Sequence, residues 1–266
     1  MSEPIKDTTV HSADSMPCVG RNLVYVADAR TPEIADISPP ANMKERLILH
    51  FHGIGPVPDR VAPEDIGYWC DERRFASILD MTCSLAQKIP IELTFDDGNM
   101  SDAVIALPAL AQRRLTAAFF VCAGRIGLPG YLDGSALNEL VSAGMTIGSH
   151  GWSHVDWRRA DDATLDVEIN AARAKIADLV GRAVDAVAVP FGSYDRRVVR
   201  RLRRSDIGTV FTSDGGRAPL SGWLLPRDVF RTSWDDHETL VELATRPLSV
   251  RASMRRHIVR AIKRSR

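Results

Sequence analysis

Two carboxylates stand side by side in Leu93-Thr94-Phe95-Asp96-Asp97-Gly98, where the apolar run Ile91 to Phe95 ends. Adjacent carboxylates repel unless a cation or a shared proton separates their roles, so the pair calls for a metal and for histidines. His150 and His154 are four apart in Ser149-His150-Gly151-Trp152-Ser153-His154, and a single helical turn puts both imidazoles on one side. With the carboxylate of Asp97 they make a three-ligand set that leaves positions open for water and substrate, as catalytic zinc requires; structural zinc takes a fourth protein ligand. Successive residues at a strand end point in different directions, so one acid can bind metal while the other faces a water. Each motif alone also has a plainer use: Asp-Asp-Gly is good turn chemistry, and paired histidines serve as surface or capping groups. Their conjunction is far more specific. The same donors suit a non-haem Fe(II) oxygenase, a reading that leaves the acid doublet unexplained.

These residues need elements to hold them. Short apolar runs at 47–51, 91–95, 117–122, 145–148, 186–189, 208–212 and 223–225 read as strands. Between them, helical periodicity marks 74–88, 101–114 with a kink at Pro108, 135–143, 162–180 and 196–204, and a last helix starts near Asp235. Strands separated by helices indicate a parallel sheet, and right-handed crossovers close about seven strands into a (β/α) barrel; an open doubly wound sheet is the alternative. Asp96-Asp97, Ser149-His150, Pro190-Phe191-Gly192, Asp214 and Arg227 all follow predicted strands, and in a barrel those ends share one rim, where active sites of this architecture lie. Gly55 to Trp69 is a loop long enough to cover a groove there.

The domain plan is an irregular N-terminal arm over 1–45, rich in Ser, Pro, Asp and Thr, one barrel over 46–245, and a basic segment over 246–266. That last segment, with Met254, Ile258, Val259 and Ile262 among its Arg and Lys residues, suits a helix packed on its own domain or resting on an anionic membrane. With 34 basic and 34 acidic residues the chain has no global field for nucleic acid. Cys18, Cys70, Cys83 and Cys122 are scattered without a C-x-x-C pair and read as core thiols. Together with an N-terminus lacking an apolar h-region, they give a cytoplasmic expectation.

Thr94-Phe95-Asp96-Asp97-Gly98, His150 to His154, and Pro190-Phe191-Gly192-Ser193-Tyr194-Asp195 together resemble the polysaccharide deacetylase family, the NodB-homology or chitin deacetylase-like esterases. The resemblance covers roughly 46–232. It implies a distorted (β/α) barrel, usually of seven strands, and metal-dependent removal of acyl groups from sugars. By motif, Asp96 is then the general base, Asp97, His150 and His154 the ligands of a divalent metal such as Zn2+, Co2+, Ni2+ or Mn2+, and Pro190 to Gly192 a groove wall. Trp152 and Tyr194 are candidates to stack on a sugar ring. The implied substrate is an N-acetylated oligosaccharide, polysaccharide or glycolipid intermediate; deformylation of a glycolipid and opening of a cyclic amide belong to the same class.

The chain departs from the family pattern twice. Ala188 stands where the family carries an arginine that holds the catalytic aspartate, and Arg227, after the last strand, is the candidate to supply that charge. The late Leu-x-His motif that donates a proton to the leaving amine is missing, although Asp214 loosely matches its partner aspartate. Asp96 itself or His52 is left to do that work, or else the barrel is a weakened enzyme that only binds carbohydrate.

Overall fold

The computed structural model describes residues 44–86, 88–245 and 263. The expected arm over 1–45 and the basic segment over 246–266 therefore fall outside the described residues, apart from 44, 45 and Lys263. The strands are β1 (Glu45–Phe51), β2 (Ile91–Asp97), β3 (Ala117–Val121), β4 (Thr146–Ser149), β5 (Ala186–Ala188), β6 (Thr209–Thr212), β7 (Ala218–Pro219), β8 (Leu224–Pro226) and β9 (Asp228–Val229). The helices are α1 (Glu72–Leu85), α2 (Leu107–Gln112), α3 (Gly134–Ser142), α4 (Asp162–Asp166), α5 (Ala172–Val180), α6 (Arg196–Arg203) and α7 (Asp236–Thr245).

Strands β1 to β6 and β8 pair in parallel in chain order, and β7 adds an antiparallel edge to β1. Closure depends on one short segment. β8 pairs with β6, and only Arg227 separates it from β9, which pairs with β1; residues 224–229 therefore join both edges of the sheet. The result is the distorted, nearly closed (β/α) barrel of seven principal strands expected from the sequence.

Alternation along each strand sorts its side chains. Leu47, Leu49 and Phe51 of β1 join Ile91, Leu93 and Phe95 of β2 in the layer beneath α1, α3 and α5. Ile48, Ala118, Phe120, Ala188, Phe211 and Leu225 form a smaller cluster that fills the inside. The residues of β2 between its apolar positions, Glu92, Thr94 and Asp96, are buried. They make a polar file on the inner face, met by Arg46, His50 and Arg227.

Two helices are interrupted by π turns, at Asp102–Ala106 ahead of α2 and at Val167–Ala171 between α4 and α5. The first has a physical cause in the expected kink. Pro108 lacks the N–H of a regular ladder and its ring crowds the preceding turn, which the wider π turn relieves. Ser101 does not cap this helix; its hydroxyl accepts from the N–H of Ile54.

Candidate metal and acyl-transfer site

The barrel rim holds an open cleft of about 360 Å³, lined by His50, His52, Asp96, Asp97, His150 and His154 at its floor. Arg60, Tyr68, Trp69, Tyr131 and Phe191 stand along its walls. Adjacent acids reach one cleft because Asp97 leaves the strand with φ 78, a left-handed turn that swings its side chain round towards that of Asp96. His154 and Phe191 also take positive φ, 57 in both cases. Three such residues in one site are backbone strain that the surrounding packing must hold, at about 1–3 kcal/mol each.

His150 and His154 are not on a helical turn. They bracket an irregular loop after β4, and a carboxylate inside the protein organises it. Glu168, buried on the second π turn, accepts from the backbone N–H groups of Trp152 (2.9 Å) and Ser153 (2.8 Å) and from the indole N–H of Trp157 (3.2 Å). Gly151, at φ +84, leaves room for it: a Cβ there would lie 2.3 Å from Glu168 Oε2. No sequence motif pointed to Glu168, because its partners are backbone groups that only the fold brings near.

Ligand atoms of Asp97, His150 and His154 all lie within 4.8 Å of one another. His150 Nδ1 is 2.9 Å from the carbonyl of Ala188, which can only accept, so Nδ1 carries the proton and Nε2 keeps its lone pair. Burial, then the neighbouring His150, brings His154 down to about 4, so at neutral pH its imidazole is uncharged and able to ligate. Asp97 is held below the usual carboxylate range: burial pushes it up, but His154, His52, His150 and Arg125 outweigh that effect. Arg125 Nη1 donates to Asp97 Oδ1 at 2.9 Å and orients the carboxylate. Two imidazoles and one ionised carboxylate fit a divalent metal with open positions.

Asp96 is 1 % exposed. Arg227, itself fully buried, grips it through two parallel hydrogen bonds of 2.8 Å, Nη1 to Oδ1 and Nη2 to Oδ2. His50 Nε2 approaches Oδ2 at 2.9 Å. Burial alone would raise the Asp96 carboxyl; Arg227 first, then the histidines, hold it well below its ordinary value. The guanidinium that the third motif lacks at Ala188 thus reaches the same acid from the segment that closes the barrel. Arg227 is not paired with its neighbour Asp228, whose carboxylate accepts from the N–H of Gly216. His50 and His52, two apart, both line the cleft, and their rings lie 4.4 Å apart. His52 Nδ1 is buried without a hydrogen-bond partner among the described residues.

Three expected roles do not match the geometry. Tyr194 is fully buried and its hydroxyl donates to Asp214 at 2.6 Å, so it cannot stack on a sugar. Trp152 is half-buried against the helix layer, with Lys175 over its ring at 4.9 Å, and does not line the cleft. Asp214, expected among the catalytic residues, sits behind the third motif and accepts from Tyr194, from Thr212 (3.0 Å) and from Lys263 (2.6 Å). Lys263 also donates to the carbonyl of Gly192 at 2.9 Å, so these groups tie down the loop. Pro190 and Gly192 are buried in that loop, and Phe191, 65 % exposed, carries its cleft-facing surface. Its ring is 4.4 Å from that of His154. The other aromatic groups that line the cleft, Tyr68, Trp69 and Tyr131, have no motif to mark them.

Among solved structures the fold is similar to a polysaccharide deacetylase from Bacillus cereus, with TM-score 0.67 and 17 % identity over 75 % of this chain and 69 % of that one. It is also similar to the deacetylase PplD of Streptococcus pyogenes, solved with acetate, at TM-score 0.64 and 20 % identity over 76 % and 99 % of the two chains. IcaB from Ammonifex degensii aligns at TM-score 0.63 and 22 % identity over 77 % and 98 %. No curated protein sequence matches the chain. The family model for polysaccharide deacetylases matches residues 86–210, the stretch holding the acid doublet, both site histidines and the Pro-Phe-Gly loop. Over residues 86–210 the chain is similar to the polysaccharide deacetylase family, and its barrel is similar to those of solved polysaccharide deacetylases.

Proposed function

We propose that the protein is a metal-dependent hydrolase that removes an N-acetyl or other small acyl group from a saccharide or glycolipid. The observation that carries this reading is the convergence of Asp97, His150 and His154 within ligand distance, next to a separate aspartate clamped by Arg227. An oxygenase would have no use for that second acid, and a binding barrel would have no use for either.

Asp97, His150 and His154 hold the metal. What a divalent metal supplies at such a site is Lewis acidity towards the acyl carbonyl and a pKa of about 7 for nearby water. Asp96 accepts the proton of the attacking water, and its grip by Arg227 keeps it ionised and aimed. That same grip keeps Asp96 from holding the proton, so it must be passed on. His52, which lines the cleft with its Nδ1 uncommitted, takes up the proton that Asp96 removes from water and delivers it to the departing amine. Burial holds the His52 pKa below its ordinary value, so once protonated it gives the proton up readily. Phe191 and Tyr68 offer apolar faces to the sugar, and Arg125 keeps Asp97 oriented.

The test is acetate release from N-acetylated oligosaccharides by purified protein supplied with Zn2+, Co2+, Ni2+ or Mn2+. Asp96→Asn is expected to bind metal and lose about 10²–10⁴ in rate. Asp97→Asn is expected to lose the metal as well. Tight metal binding with no acyl release from any such substrate would favour the binding barrel, and oxygen uptake with a 2-oxo acid would favour the iron enzyme.

A further inference from the structure

The upper wall of the cleft carries positive charge that the proposed hydrolysis does not use. Arg60 and Arg125 flank the ring of Tyr131, their guanidinium carbons 4.2 and 5.2 Å from its centre. Arg125 is matched by Asp97. Arg60 has no carboxylate within ion-pair distance among the described residues, and Asp65, on the same wall, forms none with it. Yet Arg60 is firmly placed. Its Nη2 donates to Asn99 Oδ1 (2.9 Å) and to the carbonyl of Gly130 (2.8 Å), and Trp69 lies 6.0 Å on another side. Gly130 is at φ +82, and a Cβ there would stand 2.6 Å from Arg60 Nε, so glycine is needed for this seat.

These contacts engage one of the three guanidinium nitrogens. Nε is packed against Gly130, and Nη1 keeps two N–H donors, charged groups that suit a carboxylate or phosphate oxygen at the cleft wall. A second guanidinium, Arg231, lies 4.7 Å from the Tyr68 ring in the same cleft, again without an ion pair among the described residues. The acids at the floor are already matched, Asp96 by Arg227 and Asp97 by Arg125. A neutral sugar would leave the wall charges unused.

Building on the hydrolase reading, we propose that Arg60, supported by Arg231, binds an anionic substituent of the substrate, a phosphate or carboxylate on or next to the acylated sugar. Arg60 selects such substrates over neutral saccharides of the same size.

Calorimetric binding to the metal-loaded protein tests this without turnover, using N-acetylglucosamine, N-acetylglucosamine 1-phosphate, an N-acetylated uronic acid and inorganic phosphate. At least one charged sugar is expected to bind about tenfold more tightly than the neutral one, and which one identifies the anion. Arg60→Gln brings that ratio close to one, and Arg60→Lys restores part of it. Equal affinity of charged and neutral sugars for the wild-type protein overturns the proposal, even if a variant fails to fold. So does a preference that survives Arg60→Gln, because the metal then takes the anion, and so does inorganic phosphate binding as tightly as the sugar phosphate. Charge selection without acyl release would sink only the hydrolase reading; acyl release without charge selection would sink only this one.

Discussion

Arg227 and Asp96 are a buried pair, and the energetics of such pairs decide what their variants do. Removing the guanidinium leaves an ionised carboxylate in the barrel, so Arg227→Ala is expected to cost about 3–5 kcal/mol in urea denaturation, in addition to any loss of rate. A variant that unfolds normally and turns over normally would show that Arg227 does not support the base. His52 admits a sharper test. If it protonates the departing nitrogen, His52→Gln slows amide hydrolysis by about 10²-fold or more but spares an aryl acetate, whose leaving group needs no proton. Equal losses on both substrates would return the donor role to Asp96. Asp96, Asp97, His150 and His154 were legible as chemistry because their types and spacing are local facts. His52 was only one of several options until the fold brought β1 to the same rim.

At the level of elements, the site depends on loops braced by groups outside the cleft. Glu168 on its π turn receives two backbone N–H groups of the loop between His150 and His154, so Glu168→Ala is expected to weaken metal binding about 10–100-fold while leaving all three ligands intact. An unchanged metal affinity, read by competition with a chromogenic chelator, would show that the loop holds its shape unaided. β2 carries a second consequence. Glu92, on the inner face beside Arg46 at 3.0 Å, is raised by burial to about 6 from 4.5, only partly offset by Arg46 and Arg227. A raised carboxyl favours folding below its unfolded pKa, and that contribution is lost as pH rises through 4.5 to 6, about 2 kcal/mol in all. Glu92→Gln should remove this slope from the stability profile; parallel profiles for both proteins would contradict the shift. The strand order was legible from the alternation of apolar runs and helices. The π turns, the loop in place of a helical turn and the buried Tyr194 were not, because each answers to packing between distant segments.

For the molecule as a whole, the sheet closes through 224–229, and that closure holds Asp96 and the candidate ligands at one end of the barrel. Metal that binds only the closed form stabilises it by mass action, about 2.7 kcal/mol at a hundredfold excess over Kd. Thermal unfolding should therefore shift upward with Zn2+ and back with EDTA, and Asp97→Asn should be insensitive to both. A shift that persists in Asp97→Asn would place the ion elsewhere. Among the described residues no helix is long and apolar enough to cross a membrane.

The chemistry of this protein was set by sequence alone as far as residue type reaches: an acid doublet at a strand end, two histidines four apart, and strands alternating with helices. Those signals depend on neighbours along the chain, so they survive without coordinates. Sequence offered Arg227 as a candidate by its place after the last strand, but only tertiary structure decided that it stands against Asp96, which carboxylate shapes the histidine loop, and which aromatic groups and arginines wall the cleft. Those partners are far apart in sequence, Arg227 and Asp96 by 131 residues, and no local pattern encodes a contact made by closing a barrel.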